Sequence, residues 1–147
     1  MQKLNFPTYS FRFKNSKNKI SIFDEIRKKF VILQPEEWVR QHCVQYLVLN
    51  KKYPKSLINV EKEIKVNNLR KRYDIVVYNT DGSIHLIVEC KSPKTTINQN
   101  TFDQIALYNS TLNADYLMIT NGLNHYYCKM DFEAKHYEFL KDIPEYS

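Results

Sequence analysis

Two short apolar runs with strand periodicity stand in the middle of the chain. RKRYDIVVYN (Arg70 to Asn79) and SIHLIVECK (Ser83 to Lys91) are rich in Val and Ile, with Thr80-Asp81-Gly82 between them. Asp-Gly readily supplies the left-handed backbone of a tight hairpin, so the two runs are expected to pair antiparallel. With Asp81 and Gly82 as the turn, or with a four-residue loop from Thr80 to Ser83, Tyr78 meets His85, Val76 meets Ile87 and Asp74 meets Glu89. In the second run Ile84, Leu86, Val88 and Cys90 share one face while Ile87 interrupts the other. That is the pattern of a strand buried on both faces.

The remaining pattern places elements around this hairpin. Met1 to about Lys19, with scattered aromatics and the polar KNSKNK stretch, reads as an N-terminal arm holding at most one hairpin, and Ile20 to Leu33 reads as a short strand or helix. Gln34-Pro35-Glu36-Glu37 opens a helix, because Pro suits the first turn and acids there complement the helix dipole. It should run to about Asn50 with Trp38, Val39, Cys43, Tyr46 and Leu47 as its apolar stripe. Ser56 to Val66 reads as a strand with Ile58, Val60 and Ile64 facing inward and Glu61 and Glu63 opposite. After Pro93, a helix is expected from Thr101 to about Leu112, then strands at Tyr116 to Thr120 and Leu123 to Met130 around an Asn121-Gly122 turn, and a last strand from His136 to Leu140. The order of these elements reads as α/β, and the length as one domain over residues 1–147.

Composition narrows the class. At 147 residues with 43% hydrophobic and 14% aromatic content, the chain has enough apolar surface for a real core. A net charge of +6 favours an anionic partner, although many basic proteins bind no nucleic acid. Cys43, Cys90 and Cys128 lack any C-X-X-C spacing and sit in apolar-periodic segments, so buried thiols in a reducing compartment are expected rather than a zinc site. No apolar run approaches the length of a membrane helix and the start lacks a signal-peptide core, which points to the cytoplasm.

The chemistry concentrates on Asp74 and Glu89. Directly opposed residues of an antiparallel pair have Cβ atoms roughly 4.5 to 5.5 Å apart, where like charges repel. A divalent cation between the two carboxylates would offset this, and Lys91 adds a positive charge on the face of Glu89. The alternative is a solvated sheet end neutralised by Arg70, Lys71 and Arg72. Arg72 is expected opposite Lys91, close enough to the acids for a phosphate contact. His42, His85, His125 and His136 are scattered and read as packed or surface side chains.

Asp followed by Glu-X-Lys on the next strand resembles the PD-(D/E)XK nuclease superfamily. More closely, PEEWVRQ (Pro35 to Gln41), KRYDIVVYN, IVECKSP (Ile87 to Pro93), QIALYN (Gln104 to Asn109) and ITNG (Ile119 to Gly122), in this order, resemble the N-terminal nuclease domain of type I restriction enzyme R subunits. Tyr73 stands where many members have Pro, and the 147 residues hold no helicase-like motor. The resemblance implies a restriction-endonuclease-like α/β core, a mixed central sheet flanked by helices, and Mg²⁺-dependent hydrolysis of DNA, with Mn²⁺ as a substitute. It implies Asp74, Glu89 and the Cys90 main-chain carbonyl as ligands and Lys91 as the residue acting on the attacking water or the developing charge. Glu37 is then a candidate third acid, or simply an acid at a helix N-terminus, while Glu36 is expected to pair with Arg40 one turn on. Gln104 and Tyr108 resemble a Q-X-X-X-Y motif beside the active site. Gln104 also fits a capping box with Thr101 as N-cap. Arg70, Lys71, Arg72 and Tyr108 are the expected DNA contacts. Other restriction-modification subunits, a separate motor protein or a second copy of the chain are the partners implied. A catalytically silent module that binds nucleic acid or docks a partner is the competing reading.

Overall fold

Residues two apart on a strand share a face, and the two faces of the central sheet are covered differently. The structure, a computed structural model, describes residues 1–66, 68–131 and 136–147. Three strands, β1 (Phe13–Ser16), β2 (Lys19–Asp24) and β3 (Lys29–Ile32), form a small antiparallel sheet. Helix α1 (Pro35–Gln45) follows, and then β4 (Ile58–Val66), β5 (Leu69–Tyr78), β6 (Ile84–Cys90), α2 (Gln99–Asn109), β7 (Tyr116–Thr120), β8 (His125–Asp131) and β9 (His136–Leu140). The last six strands form one sheet in sequence order, antiparallel except where β6 and β7 run parallel. A parallel pair needs a crossover, and α2 lies in that connection.

Val39, Cys43 and Leu47 pack with Ile75, Val77, Leu86, Val88 and Cys90 in one core. Phe102 and Ala106 of α2 pack with Val76, Ile87, Leu117 and Ile119 in the other. The doubly buried β6 is therefore as the sequence predicts. Helix α1 starts at Pro35 with Glu36 and Glu37 in its first turn, and it continues as a π-helical turn from Tyr46 to Asn50, so the predicted extent holds.

Several expectations are corrected. Ile20 to Leu33 covers most of β2 and all of β3 rather than one element, and contacts pin the N-terminal arm to the rest of the domain. Leu4 is buried, the Asn5 amide donates to the Gly122 carbonyl (2.8 Å), and Trp38 Nε1 donates to the Gln2 carbonyl (2.6 Å). Gly122 is required there: its φ is +88°, and a Cβ would lie 2.9 Å from Leu4 Cδ2 and 3.0 Å from Val39 Cγ2. Val76 pairs with Ile87 as expected, but a register shift at Val77/Tyr78 makes Tyr78 meet Ile84 instead of His85. The cause is a wider turn from Asn79 to Ser83, in which Asp81 Oδ1 accepts from the Ser83 amide and hydroxyl. Strand β4 starts at Ile58 because Lys55–Leu57 is a 3₁₀ turn, and β8 starts at His125 because Asn121 Oδ1 accepts the amides of Leu123 and Asn124. Helix α2 begins at Gln99. Asn98 caps it, its Oδ1 accepting the Thr101 amide at 2.8 Å, so Thr101 is not the N-cap and the capping box with Gln104 does not form.

Candidate active site

The face alternation of β4 and β5 breaks at one level. Ile75 packs into the first core, yet Tyr73, two residues earlier, packs into the second with Val76. On β4, Ile58 and Val60 pack on the first core and Ile64 on the second, correcting the expectation that all three face one way. Between these positions lie Asp74 and Glu61. Val60 pairs with Ile75 and Lys62 with Tyr73, so Glu61 stands opposite Asp74 without a ladder pair, in a left-handed conformation (φ +57°). A Glu there costs on the order of 1–3 kcal/mol, a strain found mostly at functional positions.

Asp74 is held by two donors. The Cys90 amide donates to Oδ2 at 2.8 Å and Arg40 Nη2 to Oδ1 at 3.0 Å. The β5–β6 ladder ends at Ile75–Val88, and the Asp74 carboxylate takes the Cys90 amide that lies beyond it, which brings Asp74 to the Glu89-Cys90-Lys91 strand end. Glu89 is buried and accepts from Lys71 Nζ at 2.8 Å. That ammonium also lies 4.8 Å from the Tyr73 ring centroid and 4.3 Å from that of Tyr108. Lys91 is half-buried, with its amide donating to the Thr120 carbonyl at 2.8 Å. Burial pushes the Asp74 carboxyl above the usual range, helped by Glu89, and the Cys90 amide and Arg40 only partly oppose it.

Arg40 is the residue that spacing alone did not single out. It is 6% exposed, and its guanidinium joins Glu37 Oε1 (2.7 Å), Glu61 Oε1 (2.6 Å) and Asp74 Oδ1 (3.0 Å). It pairs with Glu37 three residues back rather than with Glu36, so the expected Glu36–Arg40 pair is corrected. Glu37 Oε1 also takes Arg27 Nη2 (2.9 Å) and Oε2 takes Gln41 Nε2 (3.0 Å), so Glu37 meets Asp74 through Arg40. Glu36 is the first-helix acid that feels the site: burial and the Asp74 carboxylate push its carboxyl up, while Arg40 and Lys91 pull it down.

The other expected residues divide. Lys71 faces inward to Glu89, whereas Arg70 and Arg72 are 72% and 64% exposed in their side chains and pair loosely with Glu63 and Glu61, each at 3.5 Å. The β5–β6 ladder ends at Ile75–Val88, so the expected pairing of Arg72 with Lys91 does not form, and on its other side Arg72 meets Glu63 of β4. Tyr108 reaches the site through Lys71. Gln104 is exposed and has no side-chain partner among the described residues. All four histidines lie away from the acids: His85, for instance, packs among Tyr53, Tyr116 and Tyr146, and burial lowers its pKa. Cys90 Sγ lies 3.9 Å from Cys43 Sγ in the core, and this contact and burial push the Cys90 thiol up. All three cysteines are free and buried.

Among the described residues no three His, Cys, Asp or Glu side chains gather as a metal-ligating group. Two carboxylates and a main-chain carbonyl nevertheless suit Mg²⁺, a hard cation that takes one or two carboxylates and keeps the rest of its positions for water and phosphate. Among the described residues no helix is long and apolar enough to cross a membrane.

A family model described as type I restriction enzyme R protein N terminus (HSDR_N) matches residues 35–144. A solved fragment described as an HsdR subunit of a type I restriction enzyme from Vibrio vulnificus YJ016 has a similar structure, with a TM-score of 0.51 and 17% identity over 76% of this chain. At that identity the likeness establishes the fold alone. The chain spans 24% of that fragment's length. The comparison with curated proteins gave no match.

Proposed function

Because this chain belongs to the family of type I restriction enzyme R protein N termini, we propose that it is a metal-dependent DNA endonuclease domain with a PD-(D/E)XK core. The observation that carries this reading is the hydrogen bond from the Cys90 amide to Asp74, which draws the first acid onto the strand end bearing Glu89 and Lys91. Asp74, Glu89 and the Cys90 carbonyl would hold Mg²⁺. When bound, the ion supplies Lewis-acid chemistry and a water of lowered pKa. Lys91 orients the attacking water or meets the charge that builds on the phosphorus oxygens, acting as a compact donor at one point. Arg40 fixes the Asp74 rotamer through Oδ1, and Glu37 holds Arg40 in turn. Lys71, caged by Tyr73 and Tyr108, does the same for Glu89. DNA is the proposed substrate, and other restriction-modification subunits or a separate motor the proposed partners.

A second reading is a silent module that binds DNA or docks a partner. It is favoured by one fact: Arg40 and Lys71 already neutralise the two acids without any ion. Calorimetric titration with Mn²⁺ separates the readings. The nuclease reading expects saturable uptake of one ion, lost in the Asp74→Asn/Glu89→Gln double variant and weaker at acid pH, where a proton competes for Asp74. Equal uptake by the double variant overturns the site, and no uptake by the native chain favours the silent module.

A further inference from the structure

The charge of the chain is divided sharply. Residues 1–33 hold eight Lys and Arg against two Asp and Glu, whereas residues 34–147 hold fourteen of each. The whole net charge of +6 therefore lies before the segment that matches the family, in the stretch that folds as the β1–β3 sheet. Antiparallel pairing puts opposed residues on one side, and the register sets Lys14 beside Ser21 and Ile32, with Phe23 opposite Phe30 on that same side. The Arg12 guanidinium lies 4.5 Å from the Phe23 ring centroid, and the Lys14 ammonium 5.8 Å from that of Phe30. The β1–β2 tip carries Lys17 and Asn18, both left-handed (φ +51° and +62°), ending at Lys19. Arg12, Lys14, Lys17 and Lys19 are exposed, and none forms an ion pair among the described residues.

This sheet is fastened to the candidate site. In the β2–β3 turn, Asp24 accepts from Arg27 Nε (2.6 Å) and Gln41 Nε2 (3.1 Å), and Arg27 reaches Glu37, which holds Arg40 on Asp74. From that turn β2 extends roughly 20 Å to the lysine tip, at about 3.4 Å per residue. One duplex charge falls every 1.7 Å or so of axis, so a strand of this length parallels about six base pairs.

We infer that the outer face and tip of the β1–β3 sheet form an accessory binding surface for the phosphate backbone of duplex DNA, built from Arg12, Lys14, Lys17 and Lys19 over the Phe23 and Phe30 rings. The inference deepens the proposed function and rests on it for the choice of DNA as the polyanion. Its charge is carried by flexible cations suited to phosphate oxygens, so the surface is expected to bind without sequence preference. It supplies the positive charge that the neutral catalytic segment lacks.

The test is fluorescence anisotropy of a labelled mixed-sequence duplex across salt, in EDTA, with the native chain and the triple variant Lys14→Gln/Lys17→Gln/Lys19→Gln. The variant should keep its melting temperature. Its salt dependence should flatten by about 0.9 per lost contact, which narrows the affinity loss between about 50 and 200 mM salt by roughly 40-fold. An unchanged slope overturns the inference and leaves the nuclease reading standing. Binding through this sheet without any cleavage in Mg²⁺ sustains the inference and sinks that reading. Capture of phosphatidylserine vesicles in preference to DNA, lost in the same variant, assigns the surface to a lipid headgroup and overturns it.

Discussion

Replacing Arg40 by Met should cost about 3–5 kcal/mol at pH 7, the range for breaking a buried ion pair from one side. The guanidinium serves Glu37, Glu61 and Asp74 at once and is itself buried, so its loss leaves Glu37 with Arg27 and Asp74 with only the Cys90 amide. Glu61 is less affected, because it is partly solvated and keeps Arg72 at 3.5 Å. The pH dependence follows from Asp74. Its carboxyl is already raised in the folded chain, and without Arg40 it rises further, so the penalty it imposes is full above that folded value and fades as pH falls toward the ordinary value of 3.8. Asp24 and Asp142 behave oppositely: they are lowered by their partners and contribute stability that is lost as pH falls. The lead of the native chain over Arg40→Met should thus narrow as pH falls from 7 toward 3.8, before the loss from Asp24 and Asp142 begins to weaken both proteins. Urea denaturation of both proteins at pH 7 and pH 5 measures this. A variant as stable as the native chain at pH 7, or a gap that widens in acid, contradicts the assigned role of Arg40.

Lys91→Ala should lower kcat by about 10²–10³, the cost of losing one donor to developing charge, while duplex affinity changes little. Lys91 is one phosphate contact among several, and the basic surface lies elsewhere. Lys91→Arg should restore only part of the rate, since a planar fork does not replace a point donor. Single-turnover cleavage with saturating protein isolates the chemical step. Parallel losses in affinity and rate would make Lys91 a binding residue.

The fold was legible where local chemistry and burial agree. The Asp-Gly turn, the Pro-Glu-Glu helix start and the two-sided apolar pattern of β6 each reflect one dominant force, and each is present. Boundaries moved where a side chain competed with the backbone, as Asn98 did at α2 and Asp81 did at the turn. At the site, the neighbourhood of Asp74 with Glu89-Cys90-Lys91 was readable from the register of two strands. Of the partners of the acids, Lys71 was among the neutralising cations named from the sequence, but Arg40 and the manner in which Lys71 is held were not legible. Arg40 lies in a helix distant in sequence, the inward turn of Lys71 depends on the Tyr73 and Tyr108 rings, and the left-handed Glu61 has no signature in composition. The concentration of charge before residue 34 was present in the sequence, but it acquires meaning only once that stretch is a fixed sheet bonded to α1.

The central claim is most directly tested by incubating the purified chain with supercoiled, linear and single-stranded DNA in Mg²⁺, in Mn²⁺ and in EDTA, with Asp74→Asn as control. The account predicts nicking or linearisation of duplex DNA with either metal, none in EDTA, and none with Asp74→Asn in any buffer. DNA that stays intact with stoichiometric protein and Mn²⁺, or that is cut equally in EDTA or by the variant, would contradict it.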